Sequence, residues 1–504
     1  MKNWLLPLLC SLPILATAQF SSDALLFGET HQSVTARGLG TGNILGGLGA
    51  DLSNASTNPA GLGVYRKTEI GISLGSLTDI TQNSFLTANS KEKGRYSQFA
   101  FGGIGGLITM ELDDYSDWKF VNFGMSVNRL ANFGQDIELA GTNEGSRLLS
   151  IRDAANGFAP NDLYPYESQL AYDAYLIDLD GNNNNTYVAA VIPSDVIEKR
   201  QSVERKGGIT ELGFSMAANY QNKLYLGATL GIDFLNYKDY RFYSEAATND
   251  TISFVGFDFS EYRNVTGTGI NLKLGMLYRV NKVVRVGFAI HTPTAYRLSE
   301  TYDTELGGTV YYNNVLRDSS IKSPIIQQLE HNYVSPWVFA GNVGIVIGKR
   351  GFIGIEAIYK DYSWAKFSLI DADDTPDNRQ FMSDLNRQIE RSYTGTFDLG
   401  IGGEVNFGLA RVRAGYRLQT SPYQQKVKGV SDLRHDISAG FGLRWKHFFL
   451  DLAYVHTLRQ FEYIPYNSDS QPQRVTSTRQ TSQVMLTMGF SIFQDYEVMD
   501  DPIR

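Results

Sequence analysis

A repeating alternation of apolar and polar residues runs from residue 68 to residue 493 and constrains the fold more than any other feature. The last segment shows the pattern clearly, because five apolar residues fall on one face, Val484, Leu486, Met488, Phe490 and Ile492, and Gln483, Thr487, Gly489 and Ser491 fall on the other. A period of two predicts a β-strand with one face in an apolar medium. Many such strands, joined by connections that are alternately short and long, are typical of a transmembrane β-barrel.

The periodicity predicts an all-β chain with a 14-stranded antiparallel transmembrane barrel over residues 68–493. The expected strands are 68–77, 96–109, 120–128, 209–220, 224–236, 268–280, 284–297, 334–347, 352–360, 393–405, 409–417, 435–445, 448–458 and 481–493. An even strand number is usual for barrels of the bacterial outer membrane. Short connections such as 221–223 carry turn residues and are expected in the periplasm. Long connections are expected at the cell surface, the longest over 129–208, and residues 494–504 are expected to form a periplasmic tail.

The N-terminus has the features of a secretory signal peptide over residues 1–18. Lys2 precedes an apolar run from Trp4 to Leu15, and Ala16-Thr17-Ala18 matches the small-x-small cleavage pattern. The only cysteine, Cys10, lies within this signal, so the mature chain is expected to have no disulfide and no cysteine-ligated metal. A signal and a barrel together predict a multi-pass protein of the bacterial outer membrane.

Composition and motifs exclude several function classes. The chain has 45 Lys and Arg against 53 Asp and Glu, a net charge of −8, which disfavours nucleic acid as a partner. No catalytic constellation and no metal spacing of histidines is found, so we predict neither an enzyme nor a cofactor. The acidic stretch with Asp178, Asp180 and Asn182 is a weak candidate for calcium, because its glycine comes early and the closing Glu is missing. A solvated surface turn is the favoured interpretation.

Residues 19–67 do not follow the two-residue alternation and are rich in Gly, Ala, Ser and Asn. A 14-stranded barrel has a lumen too wide for its own side chains to fill. A compact segment before the first strand is therefore predicted to be a plug, or hatch, inside the lumen. Its last part contains Asn58, Pro59 and Ala60, where Pro59 fixes φ and Asn58 can cap a turn. We consider two roles for this motif, a hinge of the hatch and a purely structural turn.

The chain resembles the FadL/TodX family of outer-membrane transporters for hydrophobic compounds. The resemblance is carried by the Ala-Arg-Gly-Leu-Gly of 36–40, the Asn-Pro-Ala-Gly-Leu of 58–62, the Val-Gly-Phe-Ala-Ile-His-Thr-Pro-Thr of 286–294, and C-terminal hairpins that include Arg413 to Tyr416. It implies passive uptake of a hydrophobic molecule, similar to a long-chain fatty acid, that is captured at surface loops and released laterally through the barrel wall. Such an exit needs broken strand pairing, and glycines can supply it. The candidates are Gly102, Gly103, Gly105 and Gly106, whose other interpretation is close packing of hatch against wall.

A second function class remains open at this stage. FadL-like barrels also serve type IX secretion systems as shuttles for cargo proteins, and the long loops would suit protein contact. A general diffusion porin is disfavoured by the plug. The expected partners are a hydrophobic small molecule, outer-membrane lipids and lipopolysaccharide, with a protein partner at the loops as a further candidate and a monomer as the expected state. The ligand itself, whether fatty acid, aromatic hydrocarbon or porphyrin, is left open.

Overall fold

The computed structural model describes residues 14–30, 34–85, 91–113, 115–181, 185–249, 253–370, 375–426, 430–466 and 475–492. Its strands are β1 (Thr68–Phe85), β2 (Lys91–Glu111), β3 (Trp118–Asn132), β4 (Gln135–Glu144), β5 (Ile177–Leu179), β6 (Tyr187–Ala189), β7 (Val196–Tyr220), β8 (Leu224–Ala247), β9 (Phe254–Arg279), β10 (Val284–His291), β11 (Ala295–Tyr312), β12 (Val315–Lys322), β13 (Gln327–Val334), β14 (Val338–Val346), β15 (Gly351–Asp361), β16 (Lys366–Leu369), β17 (Gly395–Phe407), β18 (Ala410–Gln419), β19 (Arg434–Arg444), β20 (Phe448–Tyr463) and β21 (Val475–Ile492). The helices are α1 (Ile14–Gly28), α2 (Ala36–Gly40), α3 (Arg147–Ala155), α4 (Ser168–Asp173) and α5 (Pro376–Ser392). Phe493 and the predicted tail 494–504 lie outside the described residues.

Fourteen of the described strands form a closed antiparallel barrel: β1, β2, β3, β7, β8, β9, β10, β14, β15, β17, β18, β19, β20 and β21. The barrel closes where β21 pairs with β1, in register from Thr68↔Ile492 to Phe85↔Val475. Its outer face carries exposed apolar side chains on many strands, among them Ile70, Met125, Leu226, Ile355 and Phe441. A closed barrel with an apolar outer band is the architecture of outer-membrane proteins, so the predicted fold and localisation are confirmed.

Strands on the long-loop side extend further than the alternation indicated. β7 begins at Val196 instead of 209, and β8 continues to Ala247 instead of 236. The sequence pattern does not reveal these added strand residues, because outward residues there are polar, as at Arg200 and Lys206. The alternation of apolar and polar residues therefore ends before the strands do. The predicted loop over 129–208 was therefore too long, since its two ends belong to β3, β4 and β7. The insertion between β4 and β7 has structure of its own, as its length predicts: a small lobe with α3, α4 and the β5–β6 hairpin around a core that includes Leu148, Ile151, Leu170 and Leu176.

Two predicted strands are interrupted by prolines. The segment 284–297 is split into β10 and β11 around Pro293, and the segment 334–347 begins only after Pro336, which separates β13 from β14. Proline cannot donate a ladder hydrogen bond, so each strand is interrupted at these points, although β10 and β11 both pair along β9. β11, β12, β13 and β16 then extend the sheet beyond the barrel on the long-loop side.

The N-terminal segment lies inside the barrel. Helix α2 packs on β18, β19, β20 and β21, and a 3₁₀ turn at Leu45–Gly47 packs on β10, β14 and β15. A second 3₁₀ segment at Pro59–Val64 packs on β3, β7, β8 and β9, while Leu52–Ala55 contacts β2. A chain segment can touch strands all round the wall only from within, so residues 34–65 are the plug that the sequence predicts. Helix α1 lies at the long-loop end and contacts α5. No helix in the described ranges is both long and apolar enough to cross a bilayer.

Candidate ligand path

The plug is fixed to the wall by buried polar contacts on several sides. Arg285 Nη1 donates to the Leu48 carbonyl at 2.9 Å, and His291 Nε2 donates to the Thr57 carbonyl at 2.7 Å. On the next sector, Asn122 Nδ2 donates to the Leu62 carbonyl at 2.8 Å. The carbonyls belong to the plug and the donors to the wall. Each bond therefore gives a buried backbone oxygen of the plug the hydrogen-bond partner that it needs. These bonds make residues 48–62 a fixed part of the barrel.

An ionic network fixes the other side of the plug. Arg37 of α2 lies 3.3 Å from Glu404 of β17, and Glu404 also accepts from Arg413 Nε at 2.6 Å. Arg413 continues to Asp451 of β20 at 2.7 Å. The side chains of Arg413 and Glu404 are almost wholly buried, so removal of one partner would leave an uncompensated charge.

The motif Asn58-Pro59-Ala60 lies deep in the plug. Asn58 is 1% exposed, and its Oδ1 accepts from the Ala60 amide at 3.2 Å to cap the segment Pro59–Val64. Its Nδ2 donates to the Gly46 carbonyl at 3.0 Å. The wall opposite has Gly227 on β8 and Gly275 on β9, and a Cβ at either would collide with the motif. The two wall glycines were missed by sequence reasoning, because only the fold brings them against the motif.

The wall between β2 and β3 is incompletely paired. The β2–β3 ladder runs only from Gly103↔Asn128 to Glu111↔Phe120. Beyond Gly103, β2 pairs on one side only, with β1, and the register there shifts between Ser73 and Leu74 so that Gly102 is an extra residue. The chain of β3 turns inward beyond Asn132, and β4 bonds the inner side of β1 through Gln135 Nε2 and Thr81 Oγ1 at 3.1 Å. The ladder therefore stops where the strand leaves the wall.

The four candidate glycines occupy different surroundings at this break. Gly102 lies against the plug, where a Cβ would be 2.6 Å from the Val34 carbonyl oxygen. Gly103 forms the last ladder pair. Gly105 and Gly106 are paired with β3 on one side and with β1 on the other, and the structure has no break at these two. On the long-loop side of the break, the Tyr96 ring of β2 lies directly over Gly134, between β3 and β4.

A cavity of about 160 Å³ lies inside the barrel next to this break. Its apolar side borders the β1–β2 wall and the plug, with Val34, Leu39, Leu77, Phe101 and Met485. Charged groups from several strands complete its lining. Six cations line it against three carboxylates, so its net charge is positive in a chain that is negative overall: Arg129, Lys360, Arg417, Arg434, Arg459 and Arg479 against Glu29, Asp398 and Asp436.

Two of these cations are not neutralised by a carboxylate among their bonded partners. Lys360 Nζ donates to Thr30, at 3.2 Å to Oγ1 and 3.4 Å to the carbonyl oxygen. Arg129 donates to the Asn132 and Thr210 side chains and to the Gly207 carbonyl. By contrast, Arg417 pairs with Asp398 at 3.0 Å. An amphipathic cavity with these two cations in its lining can hold a molecule that has an apolar body and an acidic group.

An aromatic chamber lies above this cavity at the long-loop end. We use this name for the buried rings of Phe133, Tyr237, Tyr296, Tyr333 and Phe367, which enclose Phe27 of α1. His331 lies beside Phe367, with ring centroids 5.6 Å apart. Burial, followed by the positive charge of Arg263, lowers the pKa of His331 to about 4, so the ring is neutral at pH 7.

Asp178, one residue of the weak calcium candidate, makes hydrogen bonds within the protein. The Asp178 carboxylate accepts from the Tyr312 hydroxyl at 2.9 Å and from the Leu179 amide at 2.8 Å. Asn182 lies outside the described residues. In the described part of the chain, no group of three His, Asp or Glu side chains is arranged to hold a metal ion.

Comparisons with known proteins agree with this architecture. No family model and no curated protein matches the sequence. The crystal structure of a Pseudomonas aeruginosa FadL homologue matches with a TM-score of 0.55 at 13% identity, over 92% of this chain and 99% of that one. The Pseudomonas putida toluene transporter TodX matches with a TM-score of 0.50 at 11% identity, over the same shares. At such identities the likeness shows the fold, and the chain is an outer-membrane β-barrel with the fold of the FadL/TodX transporters.

Proposed function

We propose that the protein is a passive transporter of hydrophobic small molecules across the outer membrane. The observation that carries this proposal is the amphipathic cavity beside the unpaired stretch of β2 and β3. A molecule bound at Phe101, Gly102 and Met485 is already at the wall, close to the point where the ladder ends. An apolar molecule gains about 0.8 kcal/mol per CH₂ when it passes from water into lipid, so a lateral exit avoids the polar remainder of the lumen.

The substrate class that we favour is an acidic amphiphile similar to a long-chain fatty acid. Lys360 Nζ or the Arg129 guanidinium would donate to its carboxylate, because the hydrogen bonds of both groups go to neutral acceptors. The apolar side of the cavity would hold the first part of the chain. A neutral hydrocarbon would fit the same apolar surface but would leave both cations without a charged partner.

Uptake by cells that lack other transporters tests the substrate class. Radiolabelled palmitate and radiolabelled toluene are supplied in parallel to cells with the parent protein or with Lys360→Met. We expect palmitate uptake to fall about tenfold, the value of one charge-assisted hydrogen bond, with toluene unchanged. Lys322→Met is the matched control, because Lys322 is 72% exposed in a surface pair with Glu305. Equal loss of both substrates would reject the acidic class, and no uptake of either by the parent would reject transport.

The lateral route is tested at the two glycines whose surroundings differ most. Gly102→Ala puts a methyl group 2.6 Å from the Val34 carbonyl and 2.9 Å from Ser73 Cβ, so the plug and the wall must move apart. Gly106→Ala is the matched control on the same strand, because its nearest neighbour would be at 3.6 Å. We expect uptake to change several-fold in the first variant alone, while both variants assemble normally. Equal rates for the two would remove Gly102 from the route.

The cargo-shuttle alternative stays a prediction from loop length. The folded lobe between β4 and β7 gives such a partner a surface, and co-purification of a protein together with normal barrel assembly would favour that alternative. The hinge role of Asn58-Pro59-Ala60 is also retained as a proposal, and it is tested below.

A further inference from the structure

A lysine and a glutamate from two strands that are not neighbours meet on the inner face of the wall. Lys273 of β9 donates through Nζ to Glu211 Oε2 of β7, although β8 runs between these strands and pairs with both. Gly231 of β8 leaves room for the contact, because a Cβ at this position would lie 2.5 Å from Glu211 Oε2. The side chain of Lys273 is 6% exposed and that of Glu211 is wholly buried. The contact therefore joins β7 to β9 across a glycine, away from water.

Asp233 supplies a second carboxylate at the same place. It lies on β8 directly opposite Glu211 and two positions from Gly231, so the Asp233 side chain is on the face that Gly231 leaves open. Asp233 is 1% exposed, and its Oδ2 accepts from the Tyr296 hydroxyl at 2.7 Å. Its Oδ1 is buried and has no hydrogen-bond partner among the described residues. A buried carboxylate oxygen without a donor is costly, and this one is free to take a proton.

Neutral groups complete the surroundings of the pair. Asn271 Oδ1 accepts from Lys273 Nζ at 3.1 Å, and the Ser56 hydroxyl of the plug donates to Glu211 Oε1 at 3.1 Å. Both Glu211 and Lys273 interact electrostatically with Asp233, so one ammonium serves two carboxylates in this cluster. An ion pair in such a place costs the solvation of both charges, whereas an amide made from the same two groups carries no charge.

We propose that Lys273 and Glu211 are joined by an intramolecular amide bond after the barrel has folded, with Asp233 as the proton carrier. The Lys273 ammonium first gives a proton to the Glu211 carboxylate, which leaves an amine and a carboxylic acid. The Nζ lone pair then attacks Cδ of Glu211 and forms the new C–N bond. Asp233 takes a proton from Nζ and passes it to the departing hydroxyl, so the C–O bond breaks and one water is released. No other reactant is needed, because the fold holds the two groups in contact.

The bond would fasten β7 to β9 over the strand between them. The plug segment Pro59–Val64 packs on the same three strands, so the cross-link would stiffen the wall where the plug is held. The N–H of the new amide would also be a donor for Asp233 Oδ1, which lacks one in the ion pair. This inference concerns the covalent structure of the barrel and does not depend on the transported molecule.

Mass spectrometry of the unmodified protein after digestion with trypsin tests the proposal directly. Trypsin cuts after Lys and Arg, so the amide would link peptide 207–223 to peptide 264–279 and would prevent cleavage after Lys273. The linked pair should have the summed mass of the two peptides less one water. The Lys322–Glu305 pair is the internal control, because Lys322 is 72% exposed, and its peptides should stay separate. Free peptides 207–223 and 264–273 without the linked product would overturn the proposal.

Two variants distinguish an amide from an ordinary ion pair. Lys273→Arg keeps the positive charge but has no amine that can form this bond, so it should give the free peptides although its unheated gel mobility shows normal assembly. Fully heated parent protein should migrate faster than this variant, because the closed loop from 211 to 273 keeps the denatured chain more compact. Equal mobility of the heated chains would count against the cross-link.

Asp233→Asn keeps the size of the side chain but cannot carry the proton. It should slow the formation of linked peptide during refolding into detergent about a hundredfold, the usual contribution of a positioned acid–base group. Linked peptide that forms at the parental rate would remove Asp233 from the reaction.

Discussion

Two parts of the N-terminal segment are held in the barrel in different ways. Residues 36–62 are bonded to the wall through backbone carbonyls and a buried ionic network, as at Leu48, Thr57 and Arg37. In residues 21–28, apolar side chains such as Ala24 and Phe27 pack in the aromatic chamber, and Asp23 pairs with Arg263. Polar bonds in a buried site are directional and costly to break, whereas apolar contacts can be exchanged for contacts with an apolar ligand. The comparison therefore sets a plug that is bonded to the wall through its backbone below against a helix with a large apolar contact surface above.

The barrel wall also has two parts that differ, here in the completeness of their strand pairing. β8 and β9 are paired without interruption from Leu224↔Tyr278 to Ala246↔Gly256. β2 and β3 are paired only between Gly103 and Glu111. The plug segment Pro59–Val64 packs on β8 and β9, while the cavity lies next to the incompletely paired strands. We therefore expect effects of different size from deletion of the plug, from loss of its ionic anchor and from changes in the motif Asn58-Pro59-Ala60.

Deletion of residues 19–60 should have the largest effect. It removes α2, both polar anchors at Leu48 and Thr57, and most of the mass inside the lumen. We expect a nearly closed barrel to become one with large and steady single-channel conductance in planar bilayers. Unchanged low conductance would mean that the wall or the loops close the lumen without the plug.

Loss of the ionic anchor should come next. Glu404→Gln leaves Arg37 and Arg413 facing each other without their shared carboxylate, at a cost of about 3–5 kcal/mol for a buried pair. We expect the heat-modifiability midpoint, the temperature at which the unheated gel mobility is lost, to fall clearly. Glu330→Gln is the control, because the Arg297–Glu330 pair is more than half exposed and should contribute at most about 1 kcal/mol. Equal midpoints would show that the plug is not anchored through Glu404.

The double variant Asn58→Ala with Pro59→Gly tests the motif at the contact between plug and wall. It removes the bond to the Gly46 carbonyl and the cap on Ala60, so we expect a looser plug and lower uptake of a hydrophobic substrate. Barrel assembly and heat-modifiability should persist, because the network at Glu404 is untouched. Transport at the parental rate would leave the motif with a structural role only.

The sequence predicted the barrel well because lipid imposes a strict rule on outward side chains. Strand number, closure and the plug all follow from that rule and from the width of the lumen. The site was predicted poorly, because its parts come from distant segments. Gly227 and Gly275 contact Asn58-Pro59 only in the folded barrel, and Lys360 and Thr30, 330 residues apart in the chain, meet only there in the cavity lining. The polar strand extensions above the membrane and the inward turn after Asn132 also leave no alternation to detect.

The smallest effect that we expect concerns the pH dependence of the aromatic chamber. His331 is 1% exposed, and its pKa is lowered to about 4 by burial first and by Arg263 second. The unfolded chain takes up this proton near pH 6.5, so the stability that neutral His331 contributes is complete above that pH and declines as the pH falls toward 4. At pH 5 the loss is about 2 kcal/mol. The heat-modifiability midpoint should therefore fall between pH 7 and pH 5, and His331→Gln should reduce that difference. If the parent and the variant lose stability equally, protons act elsewhere, and the chamber is held by its apolar contacts alone.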